Sequence, residues 1–266
     1  MIKLGVNSVL FGGFDFATAA KYIKMAGYDG VEISAIKGMC EHLPLDDWKS
    51  HASELKAIVA GNGLEFLSTE VASLDESRLL LAFEACAEIG IPVINVGPGG
   101  KSNVDADFEH TIAMLTKLAP KAEEFGVTLC CKAHVGGSIY NTPTTLRAIE
   151  RVTHPAFGVD MDPSHIYRAA ENPANALSQV LSATKHVHIR DCKGPGPTPG
   201  TPPNQACGRG DIDLFGYCKV MVDGGYKGPV CLEIIGANQL ELAQVSIIAA
   251  ESYGYLNACL RILGAR

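Results

Sequence analysis

The segment FGVDMDPSHIYRAAENPANALSQVLSATKHVHIRD, residues 157–191, contains the unit that decides the fold. A strand-like run at 157–162 is followed by a helical stretch at 173–183 and by a second strand-like run at 186–191. Alternation of short β-branched runs with longer amphipathic stretches is typical of parallel strands joined by crossover helices. The segment therefore predicts a strand–helix–strand unit.

The same unit recurs along the whole chain. Eight strands are predicted, at 3–7, 30–34, 64–70, 93–97, 127–134, 157–162, 186–191 and 230–235. Helices are predicted near 15–27, 46–61, 75–89, 105–125, 143–152, 173–183, 213–224 and 239–263. Because no break in composition divides them, these pairs predict one α/β domain over residues 1–266, a (β/α)₈ TIM barrel. An open doubly wound sheet is the alternative, but no Gly-x-Gly-x-x-Gly motif follows the first strand.

Composition and charge exclude several classes of function. The 266 residues are 47% hydrophobic and carry a formal net charge of -7, which disfavours nucleic acid and anionic membrane surfaces as partners. The nine cysteines have no Cys-x-x-Cys spacing, which is typical of reduced thiols. No signal-peptide pattern opens the sequence. We therefore expect a cytoplasmic protein.

Histidines and carboxylates crowd the carboxyl ends of the last four predicted strands. The residues concerned are His134, Asp160, Asp162, His186, His188, Asp191 and Glu233. Each one alone is also explained as a hydrogen-bonded core residue. Side chains from neighbouring strand ends of a barrel can meet at one point, and mixed nitrogen and oxygen donors suit Mn, Zn, Co or Fe. Together they predict a site for one divalent metal ion.

Five motifs carry a resemblance to a known family. They are Gly27-Tyr28-Asp29-Gly30-Val31-Glu32, Asp162-Pro163-Ser164-His165, His186-Val187-His188-Ile189-Arg190-Asp191, Gly208-Arg209-Gly210-Asp211-Ile212-Asp213, and Gly224-Gly225-Tyr226-Lys227-Gly228-Pro229 before Leu232-Glu233. The chain resembles the xylose-isomerase-like barrels, which include sugar phosphate isomerases and epimerases, inosose dehydratases and the AP endonuclease family 2 fold. The resemblance implies that Asp162, His188 and Glu233 bind the metal. It also implies that His165 lies beside the metal or contacts substrate. Manganese is the preferred ion, with zinc, cobalt, magnesium or iron as alternatives.

The fifth strand departs from the family pattern. Relatives usually have a metal-binding glutamate where this chain has Lys132. Either His134 becomes the fourth ligand, which we favour, or the metal keeps an extra water. Beside a cation the charged form of Lys132 would be disfavoured, which predicts a neutral base or proton donor. Alternatively, Lys132 binds a polar group of the substrate.

These features predict a metal-dependent isomerase or epimerase of a small sugar, keto-sugar or polyol. Glu233 is the expected base, with Lys132 and His165 as further catalytic residues. A dehydratase or β-eliminating lyase acting on a keto-sugar or inosose is the alternative, and a non-catalytic binding subunit is a third. Endonucleases that resemble this family bind three metal ions with more histidines, including one after the seventh strand. Endonuclease activity is therefore disfavoured, because His188 is the last histidine of the chain. Family members are often oligomers, so a homo-oligomer is expected.

Further residues are candidates for substrate contact. They are Glu32, Glu70, Arg190, Asp191, Lys193 and Arg209, although salt bridges explain each of them equally well. The segment 194–203 is too rich in proline and glycine for a helix or strand. It is either a lid over the barrel mouth or a passive loop.

Overall fold

Every predicted strand forms in the computed structural model, which describes residues 1–266. The strands are β1 Leu4–Asn7, β2 Gly30–Ile36, β3 Cys40–Glu41, β4 Glu65–Glu70, β5 Val93–Val96, β6 Thr128–Lys132, β7 Phe157–Asp160, β8 Thr184–Ile189 and β9 Val230–Leu232. All except β3 run parallel in the order of the chain, and β1 pairs with both β2 and β9. The sheet is therefore a closed eight-stranded barrel, as predicted, with β3 added as a short antiparallel strand on β2.

Helices surround the barrel and bury its outer face. They are α1 Phe16–Ala26, α2 Trp48–Gly61, α3 Glu76–Ile89, α4 Asp105–Glu124, α5 Thr142–Arg151, α6 Pro163–Arg168, α7 Pro173–Val180, α8 Pro202–Gln205, α9 Leu214–Asp223 and α10 Leu242–Ile262. All predicted helices are present, whereas the short α6 and α8 were not predicted. The apolar core lies between the helices and the outward side chains of the strands. No helix is both long enough and apolar enough to span a membrane.

Four strands end two or more residues earlier than the sequence suggests. β6 ends at Lys132, β7 ends at Asp160, β8 ends at Ile189, and β9 ends at Leu232. After β7 the Asp162 side chain accepts a hydrogen bond from the Ser164 backbone N–H at 2.8 Å. This contact caps α6, so helix capping ends the extended conformation at this point.

The segment 194–203 lies partly over the barrel mouth. Pro197, Thr198 and Pro199 line the cavity at the carboxyl ends of the strands. The expectation that the whole segment avoids helix is wrong, because α8 begins at Pro202. Proline suits the first helical turn, where its missing N–H has no partner to lose.

Alternate residues of the strands point into the barrel, and their side chains are mainly polar near the mouth. At the opposite end of the barrel, where β2 begins, a Cβ at Gly30 would lie 2.5 Å from the Glu65 carbonyl oxygen and 2.6 Å from Leu67 Cγ. A side chain at this position would push β2 away from β4, so Gly30 is required for close pairing of the two strands.

We predict that Gly30→Ala lowers the free energy of unfolding by about 1–3 kcal/mol, because overpacking displaces the neighbouring strand. Urea denaturation measures the change. Gly254→Ala is the matched control, since this helical glycine has no atom within 4 Å of the added Cβ. The control is expected to be neutral, or more stable by up to about 1 kcal/mol. An unchanged stability of Gly30→Ala would contradict the packing argument.

Candidate active site

A first group of polar side chains fills the middle of the barrel, and we call it the inner cluster. Its members are Glu32, Ser68, Asn95, Asp160, His186 and His188, all fully buried. The Asp160 carboxylate binds both imidazoles, with Oδ1 at 2.9 Å from His186 Nδ1 and Oδ2 at 2.5 Å from His188 Nδ1. On the opposite side, His188 Nε2 lies 2.5 Å from Glu32 Oε2. His188 is therefore held between two carboxylates on different strands.

Protonation of the inner cluster follows from these contacts. Burial acts to lower the pKa of His188, but Asp160 and Glu32 outweigh it and hold the pKa well above its usual value. Burial acts to raise the pKa of Asp160. The charges of His188 and His186 outweigh burial and hold this pKa well below its usual range. His188 is thus a buried imidazolium between two carboxylates.

A second group surrounds the floor of the mouth cavity, and we call it the mouth cluster. Its members are Glu70, Lys132, Asp162, His165, Arg190 and Glu233, each no more than 4% exposed. Lys132 Nζ donates to Glu70 Oε1 and to Glu233 Oε1, both at 2.8 Å. The other Glu70 oxygen accepts from Asn7 Nδ2 at 2.7 Å. The Lys132 ammonium therefore links two carboxyl groups that line the same cavity of about 350 Å³.

Arg190 provides the second cation of the mouth cluster. Its Nη2 lies 2.9 Å from His165 Nε2, 3.0 Å from Asp162 Oδ2 and 3.3 Å from Glu233 Oε2. Its Nε donates to Ser164 Oγ at 2.8 Å, while its buried Nη1 has no hydrogen-bond partner. Arg190 lines the cavity together with His165. Nη1 is therefore a buried donor without a protein partner, in a residue that lines the cavity.

The two bridged glutamates are pushed apart in pKa. Burial, followed by the charge of Glu233, raises the pKa of Glu70 to about 8. Burial also acts to raise the pKa of Glu233, but Lys132 and Arg190 outweigh it and hold that pKa well below its usual range. Near neutral pH one carboxyl group is largely protonated and the other is ionised, which is the usual arrangement of a general acid and a general base.

Without a metal ion, the surroundings of Lys132 favour its charged form. Burial acts to lower its pKa, but Glu233 and Glu70 outweigh burial and raise the pKa well above the usual value. The reason is that two carboxyl groups flank the amine, rather than a metal ion. Lys132 is therefore held as an ammonium by its two carboxyl neighbours, and its part as a neutral base or proton donor beside a cation remains a prediction.

The predicted metal ligands His134, Asp162, His188 and Glu233 do not all lie together in the structure. His134 lies beyond the end of β6, with Nδ1 2.9 Å from the Val135 carbonyl oxygen and its ring 4.1 Å from that of His165. It lines the cavity but belongs to none of the donor groups described next. Its role as a fourth ligand stays a prediction.

Four groups of donor atoms could hold a metal ion, since the atoms in each lie within 4.8 Å of one another. They are Glu32–His186–Cys231, Asp160–His186–His188, Glu70–His188–Glu233 and Asp162–His165–Glu233. The third group belongs to the mouth cluster in part and the fourth belongs to it wholly, and both consist of suitable nitrogen and oxygen donors.

Two cationic nitrogens, Lys132 Nζ and Arg190 Nη2, already lie among these donors. Asp162 Oδ2 and Glu233 Oε2 have no hydrogen-bond partner, which is what an absent cation would leave behind. However, Arg190 Nη2 is 3.0 and 3.3 Å from these two oxygens. A divalent ion would approach the same oxygens to about 2.0–2.2 Å and compete with the guanidinium for one position. In this arrangement the mouth cluster does not fit a resident divalent ion.

The predicted substrate-contact residues separate into two sets. Glu70 and Arg190 line the cavity, whereas Glu32 is buried beneath it, where it accepts from Asn95 Nδ2 at 2.6 Å. The other three residues make contacts of their own outside the cavity wall. Asp191 accepts from the backbone N–H groups of Cys192, Gly208 and Ile212, Lys193 pairs with Asp211, and Arg209 pairs with Glu251. The salt-bridge and loop-fixing interpretation therefore describes this second set.

Several residues that hold the side chains of the two clusters in place lie outside the predicted site. Asn7 binds Glu70, Asn95 binds Glu32, and Ser164 binds Arg190 Nε. Alternation along a strand signals that Asn7 and Asn95 face inward, but nothing in the sequence states which carboxylate each one reaches. Asp160 was noticeable as a carboxylate two residues before Asp162 on the same face.

Fold and site together define a (β/α)₈ barrel with a charged ligand cavity at the carboxyl ends of its strands. Residues 20–253 match the family described as Xylose isomerase-like TIM barrel, and the chain belongs to this family. Among curated proteins, an inosose dehydratase of Mesomycoplasma hyopneumoniae is 21% identical over 212 residues, covering 72% of this chain and 70% of that protein. The uncharacterized protein YfiH of Bacillus subtilis is 31% identical over 77 residues, which is 29% of this chain and 25% of that protein.

Solved structures share the fold at low sequence identity. D-Psicose 3-epimerase from Clostridium cellulolyticum H10 has a TM-score of 0.81 and 18% identity, covering 97% of this chain and 99% of that one. For 3-keto-D-glucoside 4-epimerase YcjR from E. coli the TM-score is 0.74 and the identity 20%, with 97% and 100% covered. The probable 3-DHS dehydratase AsbF from Bacillus anthracis gives 0.75 and 16%, with 94% and 97% covered.

The raised pKa of Glu70 predicts how stability depends on pH. The native protein keeps a proton on Glu70 up to about pH 8, whereas the unfolded chain releases it near the ordinary value of 4.5. Stability should therefore fall as pH rises through this interval, by at most about 1.4 kcal/mol per pH unit. Glu70→Gln removes this titration, so the free energy of unfolding should change less between pH 5 and pH 8.

Urea denaturation at each pH measures the slope. Glu65→Gln, at the exposed start of the same strand, is the matched control and should keep the slope of the wild type. Equal slopes for Glu70→Gln and the wild type would show that Glu70 does not hold the proton.

Proposed function

We propose that this protein is an isomerase or epimerase that moves a proton on a carbon next to the carbonyl of a small keto-sugar or polyol derivative. One observation carries the proposal. Glu70 and Glu233 each lie 2.8 Å from Lys132 Nζ in the wall of one cavity, and the two carboxyl groups differ in protonation. A pair of this kind supplies both the base and the acid that isomerisation requires.

Each step follows from the state of these groups. The Glu233 carboxylate removes the proton from the carbon, and the electron pair of the broken C–H bond moves to the carbonyl oxygen to give an enediolate. Glu70, which is protonated, returns a proton to carbon, and the enediolate electrons re-form the carbonyl. Return at the same carbon from the other face inverts it. Return at the neighbouring carbon isomerises the sugar, when the hydroxyl on the first carbon passes its proton to the former carbonyl oxygen and becomes the new carbonyl. The reverse reaction exchanges the two roles.

The cavity and the relatives support a small substrate. A volume of about 350 Å³ lies at the lower end of the range for small-molecule sites. The D-psicose 3-epimerase, bound in its structure to D-tagatose, and the 3-keto-glucoside epimerase act on sugars, as their names state. Manganese, the ion that the family resemblance favours, has no step in this mechanism, and metal titration decides whether it binds.

A dehydratase is the second candidate, favoured by the inosose dehydratase that matches 72% of the chain. The same two glutamates would serve it. Glu233 would remove the proton, and Glu70 would protonate a hydroxyl that leaves from the β-carbon, giving water and an unsaturated ketone. The two reactions therefore differ in the product and not in the first step.

Proton exchange tests the proposal directly. Purified protein is incubated in D₂O with D-tagatose, D-psicose, D-fructose, a 3-keto-glucoside and inosose, and products are followed by NMR. We expect deuterium at the carbon next to the carbonyl with the carbon skeleton intact. An unsaturated product would favour the dehydratase, and no reaction with any carbonyl compound would favour the non-catalytic alternative.

Two variants distinguish the catalytic roles of Glu70 and Glu233. Glu233→Gln is expected to lose exchange by about 10²–10⁴-fold, because it lacks the base. Glu70→Gln should keep exchange at the carbon that Glu233 serves but lose conversion to the epimer, a split that a merely structural role would not give. Glu65→Gln serves as the surface control and should behave as wild type. Equal loss of exchange and conversion in both variants would contradict this assignment.

A further inference from the structure

The mouth cluster contains a cationic nitrogen at each place where a metal ion would bind. Arg190 Nη2 lies within 3.3 Å of one donor atom from each of Asp162, His165 and Glu233. These three residues form one of the groups whose donor atoms could hold an ion. The guanidinium nitrogen thus occupies the common neighbourhood of all three donors.

Lys132 has the same relation to a second group. Its Nζ lies 2.8 Å from an oxygen of Glu70 and 2.8 Å from an oxygen of Glu233. The third member of that group, His188, already has both ring nitrogens paired with carboxylates. In this group only Glu233 Oε2 lacks a hydrogen bond, and it lies 3.3 Å from Arg190 Nη2. A metal ion could therefore gather all three residues only if Lys132 moved away and His188 gave up Glu32.

Charge balance argues in the same direction. Glu70, Asp162 and Glu233 can contribute at most three negative charges to the mouth cluster, and Lys132 and Arg190 supply two positive ones. All five side chains are almost completely buried. A divalent ion added to this set would meet two fixed positive charges in surroundings where water screens them weakly. It would enter only by displacing one of them.

We propose that Lys132 and Arg190 replace the metal ion in this protein, so that it binds and converts its substrate without a divalent cation. The catalytic part rests on the proposed function. In that reaction the electron pair released from the C–H bond reaches the carbonyl oxygen, and the two side chains stabilise the resulting negative charge. Lys132 and Arg190 both line the cavity that would receive the carbonyl oxygen of the substrate.

Metal binding tests the proposal independently of catalysis. Wild-type protein is dialysed against Mn²⁺, and then against buffer, and its metal content is measured by mass spectrometry. Thermal unfolding is recorded with and without Mn²⁺. We expect no stoichiometric metal and no shift in the unfolding midpoint. Stoichiometric Mn²⁺ in the wild type, or a higher midpoint in its presence, would overturn the proposal.

A charge-reversal variant tests the converse, that removing the ammonium allows a metal ion to bind. Lys132→Glu removes the ammonium and places a third carboxylate beside Glu70 and Glu233, so this variant should gain Mn²⁺ and unfold at a higher temperature with the ion than without it. Lys219→Glu makes the same charge change at an exposed residue paired with Asp223 and should gain nothing. If Lys132→Glu does not fold, the wild-type measurement still decides. A folded Lys132→Glu that binds no ion would also contradict the proposal, because the amine would then not be what excludes the metal.

Chelation separates this proposal from the proposed function. Deuterium exchange by the wild type should be unchanged after treatment with EDTA. Loss of exchange with EDTA and its recovery with Mn²⁺ would overturn the metal-free proposal and leave the isomerase intact. No exchange under any condition would contradict the proposed function, while the metal titration would still decide whether Lys132 and Arg190 exclude the ion.

Discussion

Pairing of buried charge is the constraint on which the barrel interior depends. Five carboxyl groups lie in or at the end of the barrel, those of Glu32, Glu70, Asp160, Asp162 and Glu233. Three cations stand among them, which are Lys132, Arg190 and the protonated His188. A buried charge without its partner destabilises a protein by about 3–5 kcal/mol. Each cation therefore fixes the position of at least two carboxyl groups, and the geometry of the cavity follows from these fixed positions.

The fold was predictable because its signals are local and repeated. Each strand is a short β-branched run, each helix has apolar residues at three- and four-residue steps, and eight such pairs leave few alternatives to a closed barrel. The errors lie where one side chain changes the local conformation. Asp162 caps α6 and so ends β7 at Asp160, and Pro202 begins a helix in a segment that composition assigns to a loop. Neither effect has a periodic signal.

Only part of the site's membership was predictable. The strand ends bring Glu70, Lys132 and Glu233 to the mouth, and Lys132 stands out because the family pattern has a metal-binding glutamate at this position. The partner of each charge was not predictable. Whether a long side chain such as Arg190 points to solvent or turns inward to Asp162 depends on rotamers and on the neighbouring strands, which the sequence does not state. That orientation is what separates a cluster of free ligands from one that is already neutralised.

Helix α6 connects the floor of the cavity to its cover within two turns. Ser164 and His165 hold Arg190, and one turn later Arg168 donates from Nε to the Gly196 carbonyl oxygen at 3.2 Å and from Nη2 to the Pro197 carbonyl oxygen. Pro197 and Pro199 have no N–H to donate and have a fixed φ, so the cover is a stiff piece of chain. Any movement of this cover would pull on the same short helix that orients the guanidinium. Access to the cavity and the position of Arg190 are therefore coupled through α6.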